Sequence, residues 1–256
     1  MIAVIFAGPS MPTPSPPIAG IEWRPPVRQG DLYLAALSGP AIIGVTDGYF
    51  EIVPTVWHKE ILWAMAQGIH IYGAASIGAL RAAELADFGM KGCGHIYRQF
   101  RTGQLTDDDE VAVLHGPAEI GYVQVTDAMV NVRATIDHAL QLGIIEPAFA
   151  ARLVSIGKSL FYKERTYDTI LNAATEQGLA PEPARRFAAW LPSGKVDQKR
   201  IDANEMLEAI MTHIAEGVIP LEVSYQFSHT FAWEEARRRI EMVRNLAAQA
   251  NRDRGN

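Results

Sequence analysis

Apolar residues in the first third of the chain fall in short, nearly unbroken blocks. Ile2–Phe6, Ile42–Thr46 and Ile69–Tyr72 are such blocks, and Gly8-Pro9-Ser10, Asp47-Gly48 and Gly73 follow them. Blocks of this length predict strands buried on both faces. Between them the spacing becomes helical. A short helix is predicted over 30–37, a second from Pro54 to about Gln67 with Gly68 as its stop, and a third from Ile77 to Phe88 ended by Gly89. Strand and helix in alternation predict a parallel sheet with helical crossovers. The stretch holding Pro9, Pro12, Pro14, Pro16, Pro17, Pro25 and Pro26 reads as an extended loop. Beyond Thr126 the pattern is helical, over roughly 126–142, 147–157, 182–190, 200–216 and 231–250. The expected fold is therefore α/β. Residues 1–125 form a small parallel-sheet core carrying the active site, and residues 126–256 form a mostly α-helical region packed on it.

Composition narrows the function classes. The 256 residues carry 23 Lys+Arg against 29 Asp+Glu, a net charge of −6, which argues against nucleic acid as a general partner. Cys93 is the single cysteine, so an internal disulfide, a CxxC redox pair and a cysteine-rich metal site are excluded. No run of 18 apolar residues occurs, which speaks against a membrane span. The apolar N-terminus has no basic residues before it and reads as a first strand, not a signal peptide, so a cytoplasmic protein is expected. The histidines show no metal-ligand spacing, and HExxH, GxGxxG and GxxxxGK[ST] are absent. Two charged stretches remain: Asp107-Asp108-Asp109-Glu110, and the arginines at 237, 238, 239, 244, 252 and 254. Each is either a solvated face or a partner surface.

In an open parallel sheet, ligands bind beyond the carboxyl ends of the strands. That rule brings Ser10, Asp47 and Ser76 toward one neighbourhood. Ser76 lies in Ala74-x-Ser76-x-Gly78, close to the G-x-S-x-G elbow with alanine for the first glycine. Small residues on both sides allow a tight strand-to-helix turn that lifts the hydroxyl off the backbone. The Ile77 and Gly78 amides then fall at a helix N-terminus, where they can meet an oxyanion. Ser76 is either a nucleophile so presented or the cap of the helix. Two bases compete. Lys59 sits at the edge of an apolar arc on its helix, with Glu60 and Gln67 on the outward side, and partial desolvation would lower its pKa. His58 flanks the same apolar face. Asp47 either holds a base or makes the Asp47-Gly48 turn. Arg81 and Glu84, three apart, either pair on the helix or meet a partner's charge.

Several long strings carry a resemblance to a known family. They are Phe6-Ala7-Gly8-Pro9-Ser10, Asp47-Gly48-Tyr49-Phe50, Val56-Trp57-His58-Lys59-Glu60-Ile61-Leu62, Gly73-Ala74-Ala75-Ser76-Ile77-Gly78-Ala79-Leu80-Arg81-Ala82, and Asp107-Asp108-Asp109-Glu110-Val111-Ala112 with His115-Gly116-Pro117-Ala118-Glu119. In that order they resemble the TfuA family over about residues 1–140. The resemblance implies a partner of YcaO enzymes in thioamidation of a ribosomal peptide's backbone. It implies hydrolysis of the thiocarboxylated C-terminus of a ThiS-like carrier, with the sulfide passed to YcaO. It implies a Ser–Lys pair, placed on Ser76 and Lys59. No cofactor is implied for this chain, and ATP and magnesium belong to YcaO. Gly48 and the small residues 73–75 would line a channel for the carrier's slender tail, and Ser10, Asp47, His58, Arg81 and Glu84 would support the site or its substrate. The competing expectation is a non-catalytic adaptor that recruits peptide and carrier to YcaO.

Overall fold

The computed structural model describes the backbone of residues 1–14 and 16–254, with side chains of the last helix described to Leu246 and at Gln249. Five parallel strands form one sheet among the described residues: β1 (Ala3–Phe6), β2 (Ile21–Arg24), β3 (Ile42–Val45), β4 (His70–Gly73) and β5 (Lys91–Gly92). Their spatial order is β2-β1-β3-β4-β5. The chain goes outward from β1 to β2, then returns past it to β3. That reversal opens a crevice at the carboxyl ends of β1 and β3, where such sheets bind ligands.

The three predicted strands are present to within one residue at each end. Two others were not foreseen. β2 is four residues between Gly20 and Pro25, and an edge strand tolerates proline at its end because its outer side needs no ladder partner. β5 is only two residues long. Helices α1 (Asp31–Ala36), α2 (His58–Ala66) and α3 (Ile77–Leu85) supply the crossovers. α2 begins at His58, four residues later than Pro54 suggested. Glu60 caps it by accepting the Trp57 amide. That same carboxyl is buried, not outward-facing, and also accepts the Gly30 and Tyr33 amides at the start of α1. Burial pushes it up to about 7.

The remaining helices are α4 (Gly94–Arg101), α5 (Met129–Gln141), α6 (Pro147–Ser159), α7 (Tyr167–Glu176), α8 (Pro181–Gly194), α9 (Gln198–Glu216) and α10 (Phe231–Arg254). α4 and α7 were not foreseen. α5 to α8 enclose an apolar core of their own, built on Met129, Val132, Ile136, Leu153, Ile170 and Phe187. α9 returns to the sheet. Its Ala203, Met206 and Ile210 cover the face formed by Ala3, Ile5, Ile42 and Tyr72. Gly44 permits the close approach, because a Cβ there would meet Ile210 Cδ1 at 2.9 Å. The opposite face, Val4, Phe6, Ile43, Val45 and Ile71, packs on α1, α2 and α3. α10 is anchored there by Trp233, which is fully buried and set edge-on against Tyr33 and Phe227. α10 thus secures the outer layer, while α9 reaches toward the crevice. No helix is long and apolar enough to cross a membrane among the described residues.

Candidate active site

The turn from β4 into α3 is made by Ala74 and Ala75. Ala75 adopts a left-handed backbone, φ +66°, and Ser76 follows at φ −122°, ψ −125°. An alanine in that region stores strain, and such strain persists where surrounding packing fixes it. Here the packing is the backbone of β3. A Cβ on Gly78 would lie far inside van der Waals contact with the Val45 carbonyl oxygen. Gly78→Ala is expected to lower stability by roughly 3 kcal/mol, the upper range for overpacking a tight contact. Urea denaturation midpoints check this, and an unchanged midpoint would contradict the packing.

Ser76 is buried, and its side chain makes no capping bond to α3. Its Oγ donates instead to the Val111 carbonyl at 3.3 Å. A second group converges on the same oxygen. Lys199 Nζ donates to it at 2.9 Å. Lys199 lies in the first turn of α9 and is fully buried. Desolvation lowers its pKa from the ordinary lysine value, against the pull of Asp47 and Asp197. The positive end of a 19-residue helix acts in the same sense. Asn131 of α5 holds the start of α9 in place. Its Oδ1 accepts the Lys199 amide at 3.1 Å, and its Nδ2 donates to Asp197, the cap of α9, at 3.0 Å.

Asp47, at the end of β3, ties the neighbouring strand ends together. Its carboxyl accepts the Gly8 and Ser10 amides and the Ser10 and Thr46 hydroxyls. Lys199 Nζ lies 3.9 Å from its Oδ1. Ser10, Asp47 and Ser76 are therefore gathered at the strand ends, as the crevice rule anticipated. A cavity of about 650 Å³ opens over them, lined by Asp47, Gly48, Tyr49, Ser76, His115 and Lys199 among others. Residues 113–126 form its flap, closed by Gly116 N–H to the Val123 carbonyl and pinned to Pro9 by Gln124.

The amides at the head of α3 are not equivalent. Gly78 N–H is taken by the Thr46 carbonyl at 3.3 Å, which corrects its expected role toward an oxyanion. Ile77 N–H has no hydrogen-bond partner among the described residues.

Lys59 and His58 are not brought to Ser76. Lys59 Nζ donates to the Ser228 carbonyl at 2.6 Å and sits 4.7 Å over the Phe227 ring. His58 bonds Glu84, which also takes Arg81 at 2.7 Å. Glu84 is eight residues along α3 from Ser76, or about 12 Å at the helical rise. The reason is the face that α2 buries, that of Glu60, Ile61, Ala64 and Met65, which leaves Lys59 toward the C-terminal segment. Arg81 and Glu84 pair on their helix. They line a separate hollow of about 600 Å³ with Asp107, Asp108 and Asp109.

The acidic run is largely an internal tie. Glu110 is buried and accepts Arg133 Nη2 at 2.8 Å and Nε at 3.0 Å, one on each oxygen. Asp109 bonds Lys158 and the fully buried Arg165. Against the cost of burial, those hydrogen bonds hold its carboxyl below the usual range. Only Asp107 and Asp108 face outward. These ties fix Val111, the next residue, whose carbonyl receives Ser76 and Lys199. Of the C-terminal arginines, Arg237 is engaged by Glu234 and Glu241, while Arg238, Arg239 and Arg244 are exposed. The side chains of Arg252 and Arg254 lie outside the described residues.

Lys199 was missed by sequence reasoning, yet a signal existed. Residues 199, 203, 206 and 210 follow helical spacing, and the last three are Ala, Met and Ile. A lysine beginning a buried stripe is either a snorkelling stem or a functional group. No cluster of His, Cys, Asp and Glu able to hold a metal ion occurs among the described residues.

No curated protein matches the chain. The model of the TfuA-like protein family matches residues 47–166, a segment that contains Asp47, Ser76, the acidic tie and the flap. Over that segment the chain is similar to the TfuA-like protein family.

Proposed function

We propose that this protein is a Ser–Lys hydrolase. It releases sulfide from the thiocarboxylated C-terminus of a ThiS-like carrier, for use by a YcaO enzyme that thioamidates a ribosomal peptide in the cytoplasm. The observation that carries the reading is the convergence of Ser76 Oγ and Lys199 Nζ on one carbonyl at the foot of a cavity. The base in this proposal is Lys199, not Lys59.

Unprotonated Lys199 takes the proton of Ser76, and Oγ bonds to the thiocarboxyl carbon. The carrier's terminal group brings its own negative charge, so attack builds a doubly charged tetrahedral centre. The Lys199 ammonium just formed and the Ile77 amide face that charge. The carbon–sulfur bond then breaks, and sulfur leaves as hydrosulfide, carrying the proton back from Lys199. Water gives a proton to Lys199 and attacks the ester carbon. Ser76 departs and regains that proton, and the carrier's new carboxylic acid gives up the water's other proton to solvent, leaving a carboxylate. The step consumes one water. ATP and magnesium act at YcaO.

The test mixes thiocarboxylated carrier with wild-type protein, Lys199→Arg and Lys59→Arg, and measures sulfide. A guanidinium stays protonated, so Lys199→Arg is expected to lose at least 100-fold, whereas Lys59→Arg stays within about twofold. Carrier that binds without sulfide release from the wild type would make the protein an adaptor. Normal turnover by Lys199→Arg would remove the lysine assignment.

A further inference from the structure

Lys199 is enclosed by groups from several elements. Asp197 stands at the cap of its own helix. α5 presents the uncharged Asn131, α3 the Ser76 hydroxyl, and the segment before the flap the Val111 carbonyl. Glu110, on that segment, is committed to Arg133. His115 and Lys163 reach the same cavity from its walls, and Lys163 is paired with Glu51. One carboxyl remains in direct reach of the amine, Asp47 Oδ1 at 3.9 Å, with both side chains at most 2% exposed.

The two oxygens of Asp47 are unequally used. Oδ2 accepts three donors: Gly8 N–H at 3.0 Å, Ser10 N–H at 3.1 Å and Thr46 Oγ1 at 3.0 Å. Oδ1 accepts one, the Ser10 hydroxyl at 2.6 Å. The oxygen nearest the lysine is therefore the one with acceptor capacity left, and the Ser10 proton is what moderates it. We propose that Asp47 is a positioning residue that sets how readily Lys199 holds its proton, with Ser10 adjusting the strength of that hold. A negative charge at this distance favours the ammonium, and the two partners work in opposite senses.

Asparagine separates charge from architecture. In Asp47→Asn, the amide oxygen can take the three donors of Oδ2, and the amide nitrogen can donate to Ser10 Oγ. The loop is kept and the charge is lost. In Ser10→Ala the charge is kept and its moderating proton is lost. The experiment is a ¹³Cε-lysine NMR titration, with the Lys199 signal identified by its disappearance in Lys199→Met. The midpoint is expected to fall by about one to two pH units in Asp47→Asn and to rise in Ser10→Ala. A residue that only braces the loop would move neither midpoint, or both the same way, and that result overturns the proposal. If Asp47→Asn does not fold, Ser10→Ala decides by itself. The pH inflection of sulfide release is expected to move with the lysine signal. That kinetic part rests on the hydrolase reading, but the titration uses no substrate. Opposed shifts without any sulfide release would sink the hydrolase and leave the role of Asp47 standing.

Discussion

Ser76→Ala is expected to cut sulfide release from thiocarboxylated carrier by at least 10³-fold while the fold survives. The rate effect follows from losing the attacking oxygen, for which the cavity offers no substitute at the same place. The stability effect is small for a structural reason. Ser76 does not cap α3, and its Oγ makes one long bond, 3.3 Å, to Val111. Losing such a bond costs about 1 kcal/mol. Continuous sulfide detection beside a urea unfolding curve separates the two quantities. Turnover within tenfold of the wild type would rule out Ser76 as nucleophile. Added free sulfide should restore thioamidation to a mixture of YcaO and the alanine variant, because only delivery is missing.

The second large effect joins activity to stability. Lys199→Met is expected to abolish hydrolysis and to make the protein more stable at neutral pH, by about 1–3 kcal/mol. The folded chain buries this amine completely, which depresses its pKa below the ordinary value of 10.5. Between the depressed value and 10.5 the unfolded chain binds the proton more tightly. Stability therefore rises with pH across that window, and below it the wild type carries the full penalty of burying the group. Methionine removes the penalty and the slope together. Asp47 keeps its four hydrogen-bond donors, so the substitution does not strip that carboxyl of partners. Denaturation at several pH values between 6 and about 10.5 would show a rising wild-type curve and a flatter one for the variant. Loss of stability in Lys199→Met at neutral pH would mean that the lysine supports the fold.

The serine end of the site was legible in the sequence, because it is made locally. Apolar blocks gave β1, β3 and β4, their ends brought Ser10, Asp47 and Ser76 together, and small residues around Ser76 marked the turn. The lysine end was not, because it depends on which face α9 turns to the sheet, a matter of tertiary packing. Lys59 borders apolar positions on the helical wheel, but the face that α2 buries is that of Glu60, Ile61, Ala64 and Met65, and Lys59 is left on the side of the C-terminal segment. Glu60 shows the same error from the other side: three backbone amides draw a carboxyl inward where its neighbours suggested solvent. β2 was hidden because it is a four-residue run inside a proline-rich stretch, between Gly20 and Pro25. The acidic run looked like a surface, since its counter-ions Arg133, Lys158 and Arg165 lie on elements distant in the chain.

Lys199 lies beyond residue 166, where the family match ends. During synthesis the ribosome therefore releases the serine, its turn and the flap well before the amine that would deprotonate Ser76. A growing chain halted anywhere short of α9 holds an inert hydroxyl. If the proposed hydrolysis is what the site performs, a protein built in this order cannot begin to liberate sulfide until α9 has closed over the sheet.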